Sequence, residues 1–440
     1  MKLAAAEFAL DSGNTAWMLT ASALVLLMTP GLAFFYGGMV RGKSVLNMMM
    51  MSFGAMGVVG VVWVLWGYSG AFGPDLGGGV LGNPLEFFGL NGMTDAQSLM
   101  VAVGVPALVG VVFQATFAII TVALISGAIA DRTKFSTWLI FAGLWVTIVY
   151  VPVAHWVWSG VGLLGPTGIT KGLSTPIDFA GGTVVHINAG VAGLALALII
   201  GRRKGFGREP MRPHNLPFVM LGAALLWFGW FGFNAGSEFA ADSVAGRAWL
   251  NTMVATCAAM LTWLLTEKLR DGHATSLGAA SGVVAGLVAI TPAAAAVDTF
   301  GAIALGAIAG VLCALAIGLK YKYGYDDSLD VVGVHLVGGL TGTILIGFFA
   351  TDKNSAFLPT GAATGLFYGG GATQLGTQVI TAAVVVVFSF TATSVIALIL
   401  KATIGFRISD DDEETGVDLT THGETAYEAL GARITTGVKA

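Results

Sequence analysis

Of the six histidines in the chain, only His186 and His335 lie well inside long apolar runs. Neutral imidazole is both a donor and an acceptor, so two such rings could hydrogen-bond each other and still face a passage. The alternative is two separate core histidines, each bonded to a backbone carbonyl. Both follow an acid at the start of a run, in Asp178-Phe-Ala-Gly-Gly-Thr-Val-Val-His186 and Asp330-Val-Val-Gly-Val-His335. A carboxylate there suits a helix N-terminus. A second constellation is aromatic: Phe113-Gln-Ala-Thr-Phe117, Trp158, and Trp227-Phe-Gly-Trp-Phe-Gly-Phe233 with Ser237 just beyond. Rings at an outer mouth could hold a cation on their π-faces, with Ser237 as an acceptor. Each ring taken singly also fits an interfacial aromatic belt. Two histidines without a third ligand make a weak metal site, and no cofactor is expected. No nucleophile–base set points to an enzyme. Gly37-Gly-Met-Val-Arg-Gly-Lys-Ser44 fits the P-loop expression but falls in the turn between the first two apolar runs, without a nucleotide domain around it.

The elements that must position these residues belong to a membrane. The chain has 440 residues, of which 21 are Lys or Arg and 25 are Asp or Glu. With a mean hydropathy of +0.81, so few charges could not cover a water-soluble fold. Eleven stretches free of Asp, Glu, Lys and Arg are long enough to span a bilayer: 12–40, 44–74, 96–130, 135–170, 179–201, 213–237, 248–266, 274–297, 299–319, 331–351 and 354–400. Their continuous apolar character argues for helices over a barrel. With the N-terminus outside, inner segments hold 17 Lys or Arg and outer ones 4, the asymmetry of a cytoplasmic C-terminus. The two acid–histidine units stand five spans apart. An odd repeat inverts the second half, so the site falls between the halves near mid-membrane. The expected fold is an all-α integral membrane protein with inverted five-helix repeats, spans 1–5 and 6–10, plus a final helix. Residues 1–400 form the membrane domain and 401–440 a cytoplasmic tail with eight acids. Small-residue spacings at Gly278, Gly282 and Gly286, at Gly306 and Gly310, and at Gly338 and Gly342 suit close helix contacts. His155, beside Trp156 and Trp158, reads as an interfacial residue.

The segment from Asp178 to His186-Ile-Asn-Ala-Gly resembles the signature of the ammonium transporter family (Amt/Mep/Rh). The resemblance extends through Thr29-Pro-Gly-Leu-Ala-Phe-Phe-Tyr-Gly-Gly38, Phe113 to Phe117, Phe231-Gly-Phe-Asn-Ala-Gly-Ser237, Asp330 to His335 and the tail segment Gly416 to Tyr427. It implies a multi-pass protein of the cell inner (plasma) membrane, a homotrimer with one pore per subunit. It implies ammonium binding at Trp158, Phe117 and Ser237 with Asp178 in support, a gate of Phe117 and Phe233, and a pore carrying His186 and His335. Trp158 and Ser237 favour the bacterial Amt branch. The tail implies regulation by a PII-type signalling protein at the cytoplasmic face. No nucleic acid is expected as a partner. The mechanism implied is capture of ammonium, loss of a proton, passage of ammonia and separate relay of the proton. The alternative is an ammonium sensor signalling through the tail. The outer loop Gly165 to Ile177 is longer than the family pattern.

Overall fold

A computed structural model describes residues 8–353 and 357–427. Lys2, Arg433 and Lys439 of the charge count and the tail beyond 427 lie outside the described residues. Ten helices are long and apolar enough to cross a membrane: α1 (Ser12–Met39), α2 (Val45–Phe72), α3 (Ala107–Ile129), α4 (Phe135–Trp158), α5 (Gly182–Ile200), α6 (Leu216–Gly236), α7 (Ser243–Asp271), α9 (Thr299–Tyr323), α10 (Val332–Phe349) and α11 (Thr373–Thr403). The shorter α8 (Ser276–Ile290) is followed by buried turns from Thr291 to Ala296, which complete the eighth crossing. Eleven membrane-crossing segments in the expected order result. No strand forms among the described residues, as a bilayer requires of an open chain: backbone donors and acceptors must be satisfied within each helix.

The first helices of the two halves, α1 and α6, pack along their length. Glycines permit it. A Cβ at Gly222 would lie 2.5 Å from the Phe35 Cα, and one at Gly232 would lie 2.9 Å from the Ala21 carbonyl oxygen. The spacings noted in the sequence work the same way. Gly282, Gly286, Gly306 and Gly310 face α7, and Gly342 faces Ala289 of α8. With lipid as apolar as the side chains, such close approach replaces the hydrophobic drive as the source of helix association.

The inner face is stitched by charge. Arg203 pairs with Asp131 at 3.0 Å and with Asp326 at 2.8 Å, and Arg41 reaches Asp131 at 3.2 Å. Arg132, wholly buried, donates to the carbonyls of Ala128, Ala130, Gly201 and Asp326 and to the Ser328 hydroxyl. Burial alone would raise the Asp131 carboxyl, but Arg203 and Arg41 hold it below its ordinary range.

The tail lies across this face. Glu413, 1% exposed, accepts from Arg407 at 2.6 Å and from the Lys204 amide at 2.7 Å. Asp418 accepts from the amides of Leu46 and Asn47 at 3.0 and 2.8 Å, so it caps α2. Lys43 of the P-loop-like turn donates to the backbone carbonyls of Glu413 and Glu414. The turn is thus a docking point for the tail.

Gly222→Ala drives a methyl group into the α1 backbone and is expected to destabilise the protein by roughly 1–3 kcal/mol. Gly57→Ala, where a Cβ meets nothing within 4 Å, should be neutral or mildly stabilising. Thermal unfolding of the two variants in detergent checks the contrast.

Candidate functional site

The site begins with two helix starts. α5 and α10 each open with a π-turn, Gly182–Ile187 and Val332–Leu336, and each turn carries one histidine. Such turns are rare and concentrate where a side chain must be re-aimed. The four amides that open a helix have no partner within it, and here they lie inside the protein. At α5 the Asp178 carboxylate accepts from the amides of Gly181, Thr183 and Val184 at 3.0, 3.0 and 3.1 Å. Gly181 turns the chain at φ 111°, a conformation that glycine adopts without strain.

At α10 the structure departs from the sequence reading. Asp327, not Asp330, caps the helix, accepting from Val331 at 3.1 Å and Val332 at 2.8 Å. Asp330 turns away with φ 64° and pairs with Lys320 at 2.6 Å. The correction sharpens the repeat, since Asp178 and Asp327 each stand eight residues before their histidine.

The two caps bring the histidines together. The Nδ1 atoms of His186 and His335 are 3.3 Å apart, with ring centroids at 5.4 Å and planes 20° from parallel. One nitrogen donates and the other accepts. His186 is 1% and His335 3% exposed, and His186 Nε2 has no partner among the described residues. Close packing behind them depends on Gly339, where a Cβ would lie 3.1 Å from the His186 Cβ.

An aromatic column leads outward from this pair. Trp230 stacks on His186 with centroids 5.3 Å apart, and its indole N–H donates to Thr291 at 2.8 Å. Phe233 follows, stacked on Phe117 at 4.1 Å with planes 22° apart. Phe117 meets Trp158 edge to face at 6.0 Å. Trp158 is held in turn by its indole N–H, which donates to the Asp178 carbonyl at 2.9 Å. The sequence placed Trp230 with the outer rings, whereas it lies below the Phe117–Phe233 pair. Its register was available: Trp230, Phe233 and Ser237 fall at i, i+3 and i+7 on one face of α6.

Two cavities open outward of the phenylalanine pair. The smaller, about 150 Å³, is lined by Gln114, Phe117, Trp158 and Ser237 among others. The larger, about 350 Å³, shares Trp158, Phe179 and Ser237 with it and adds Asp178 and Glu238. The Ser237 hydroxyl donates to the Phe233 carbonyl at 2.8 Å, which leaves its lone pairs for a donor arriving from the cavity. Gln114, one helical turn outward of Phe117, was not singled out from the sequence; its buried Oε1 has no partner among the described residues. His155 stands in the last turn of α4, as expected. It is fully buried, with Nδ1 2.8 Å from the Ala71 carbonyl and Nε2 3.2 Å from the Asp75 carboxylate.

Comparison with known proteins gives a consistent result. The profile of the Ammonium Transporter Family matches residues 16–427. An ammonium transporter of Mycobacterium tuberculosis is 59% identical over 434 residues, covering 95% of this chain and 91% of that protein. The crystal structure of Saccharomyces cerevisiae Mep2 superposes with a TM-score of 0.83 at 36% identity, covering 91% of each chain. A structure described as a sensor Amt protein superposes at 0.82 with 29% identity, covering 93% of this chain and 98% of that one.

The equivalence of the two caps makes a matched prediction. Asp178→Ala and Asp327→Ala each leave helix-opening amides unsatisfied inside the protein and should each lower stability by about 2 kcal/mol. Asp330→Ala, which leaves the cap intact, should cost less. Thermal unfolding followed by tryptophan fluorescence would rank the three.

Proposed function

The chain belongs to the Ammonium Transporter Family, and we propose that it conducts ammonia after capturing ammonium at the outer cavities. The observation that carries this reading is the imidazole pair, buried and mutually bonded, directly behind a stacked pair of phenylalanines. Ammonium and potassium have similar charge and size, so a merely charged passage would not separate them. Ammonium differs in donating hydrogen bonds and in being able to lose a proton.

At the mouth, Trp158 and Phe117 offer π-faces to the cation, and Ser237 offers lone pairs because its own proton is engaged with Phe233. The C-terminal end of α6 points the same way, and the helix dipole places partial negative charge there. Asp178 acts chiefly as a positioning residue. Its carboxylate sets the start of α5, and its carbonyl sets the Trp158 ring. Phe117 and Phe233 then close the route to a hydrated ion. Past them the polar side chains on the route are few, chiefly the two imidazoles, and an ion taken there is strongly disfavoured. Loss of water lowers the pKa of ammonium, so the neutral species is the one that passes.

Between the histidines, whichever Nδ1 holds the shared hydrogen, one Nε2 is a donor and the other an acceptor. Ammonia is both as well and can be handed from one ring to the next. The same bonded pair offers a path for the separated proton. In this reading the molecule works as a homotrimer in the cell membrane, and residues 401–440 form the surface that a PII-type protein would engage. Flux that survives deletion of the tail would favour transport over a purely sensing role.

The test is current across a supported membrane carrying the purified protein. Pulses of ammonium should give a saturating current and pulses of potassium none. His186→Ala combined with His335→Ala should reduce the ammonium current at least about 100-fold, the lower range for losing a proton-transfer group. An undiminished current in that double variant would overturn the relay.

A further inference from the structure

Among the described residues, the larger outer cavity is lined by two carboxylates, Asp178 and Glu238, and by no lysine, arginine or histidine. Their situations differ. Asp178 is committed to three backbone amides. A third acid nearby, Asp242, is likewise committed, accepting from the amides of Val244 and Ala245 at the start of α7. The Glu238 side chain has neither a hydrogen bond nor an ion pair among the described residues. It is held at the mouth by the backbone. α6 ends at Gly236, and the Phe239 amide closes back on the Gly236 carbonyl at 2.9 Å. Phe239 itself adopts φ 64°, an unfavourable conformation for a bulky residue. Its ring packs edge to face on Phe113 at 5.7 Å, which fixes the turn. Glu238 therefore sits next to Ser237 on a braced corner, facing the vestibule that a cation must cross.

We propose that Glu238 is a recruitment residue, an uncommitted carboxylate that concentrates ammonium in the vestibule ahead of the aromatic site. This rests on the transport reading above. A charge at the mouth of a cleft with low-dielectric walls raises the local concentration of its counter-ion. It acts on the entering cation only, because the phenylalanine pair separates it from the histidines. The influence should therefore fall on KM and not on turnover at saturation.

Capture should also depend on external pH. Burial, with a smaller contribution from Asp242, raises the Glu238 carboxyl to about 7. The carboxylate is charged above that pH and neutral below it, while ammonium remains the main species throughout mildly acidic and neutral solution. KM for ammonium should thus fall as the outer pH rises from about 6 to about 8.

The experiment measures ammonium-dependent current against concentration at several outer pH values for the unaltered chain, Glu238→Gln and Glu238→Asp. In Glu238→Gln, KM at pH 8 should rise by roughly 3- to 10-fold, the range for one partly screened charge. Its dependence on pH between 6 and 8 should flatten, and the maximal current should be kept. Glu238→Asp should restore both the lower KM and its pH dependence. Equal KM and equal pH profiles in the unaltered chain and Glu238→Gln would overturn the proposal and leave the transport reading standing. Absence of any ammonium current in the unaltered chain would overturn the transport reading and this proposal with it. A fall in maximal current alone would also count against recruitment, since it would indicate a structural role.

Discussion

A helix that begins below the membrane surface leaves amide groups that water cannot reach, and each must find an acceptor in the protein. α5 and α10 both begin this way, and in each a single carboxylate meets the need. Asp178 and Asp327 thereby do more than stabilise a terminus. They fix where each helix starts, hence which residue of the opening π-turn faces the other half, and hence that His186 and His335 meet at Nδ1. The aromatic column depends on the same arrangement, because the Asp178 carbonyl orients Trp158. The inner face follows a parallel logic with charge in place of amides. There Arg132 and Arg203 gather the ends of α3, α5 and α9 through carbonyls and buried acids.

The proposed route is organised as a gradient of polarity. Uncommitted acceptors lie at the mouth, where on this reading a cation would still be partly hydrated. Stacked rings follow, and beyond them imidazoles that can serve a neutral molecule in either hydrogen-bonding sense. The layers draw on different helices, with α3, α4 and α6 giving the rings and α5 and α10 the histidines. That distribution explains why the glycine contacts of α1 with α6 matter to chemistry they never touch: they fix how far α6 stands from its neighbours.

Much of this was legible in the sequence. Hydropathy sufficed for the eleven crossings, since the bilayer imposes a length rule that holds whatever the partner helices are. The five-span offset between Asp178–His186 and its counterpart carried the inversion. The misreadings were of a different kind. Asp326, Asp327 and Asp330 share one short loop, and which of them caps α10 depends on a left-handed turn at Asp330 that composition does not encode. Trp230 was grouped with its neighbours along the chain, though helical geometry separates it from them by depth. Glu413 and Asp418 belong to an acidic run that resembles a solvated tail. Only the folded inner face brings Arg407, Lys204 and the open end of α2 within reach. The partner of His155, Asp75, stands 80 residues away in another loop, so nothing in the neighbourhood of the histidine announced it.

The π-turns impose a rule of counting on this chain. A residue added to or removed from an α-helix rotates everything beyond it by about 100°, and a π-turn is the one place where a helix already holds such a surplus. The interval from capping acid to imidazole is the same in both halves, with the surplus residue inside it each time. Shortening either interval by one would leave every side chain type in place yet swing one ring out of the seam. The apolar residues between are open to exchange for others of similar volume, but the length is not. Insertions and deletions accumulated over the history of this chain must therefore fall elsewhere, and two sequences of this kind can be brought into register on these intervals even where their intervening side chains have diverged.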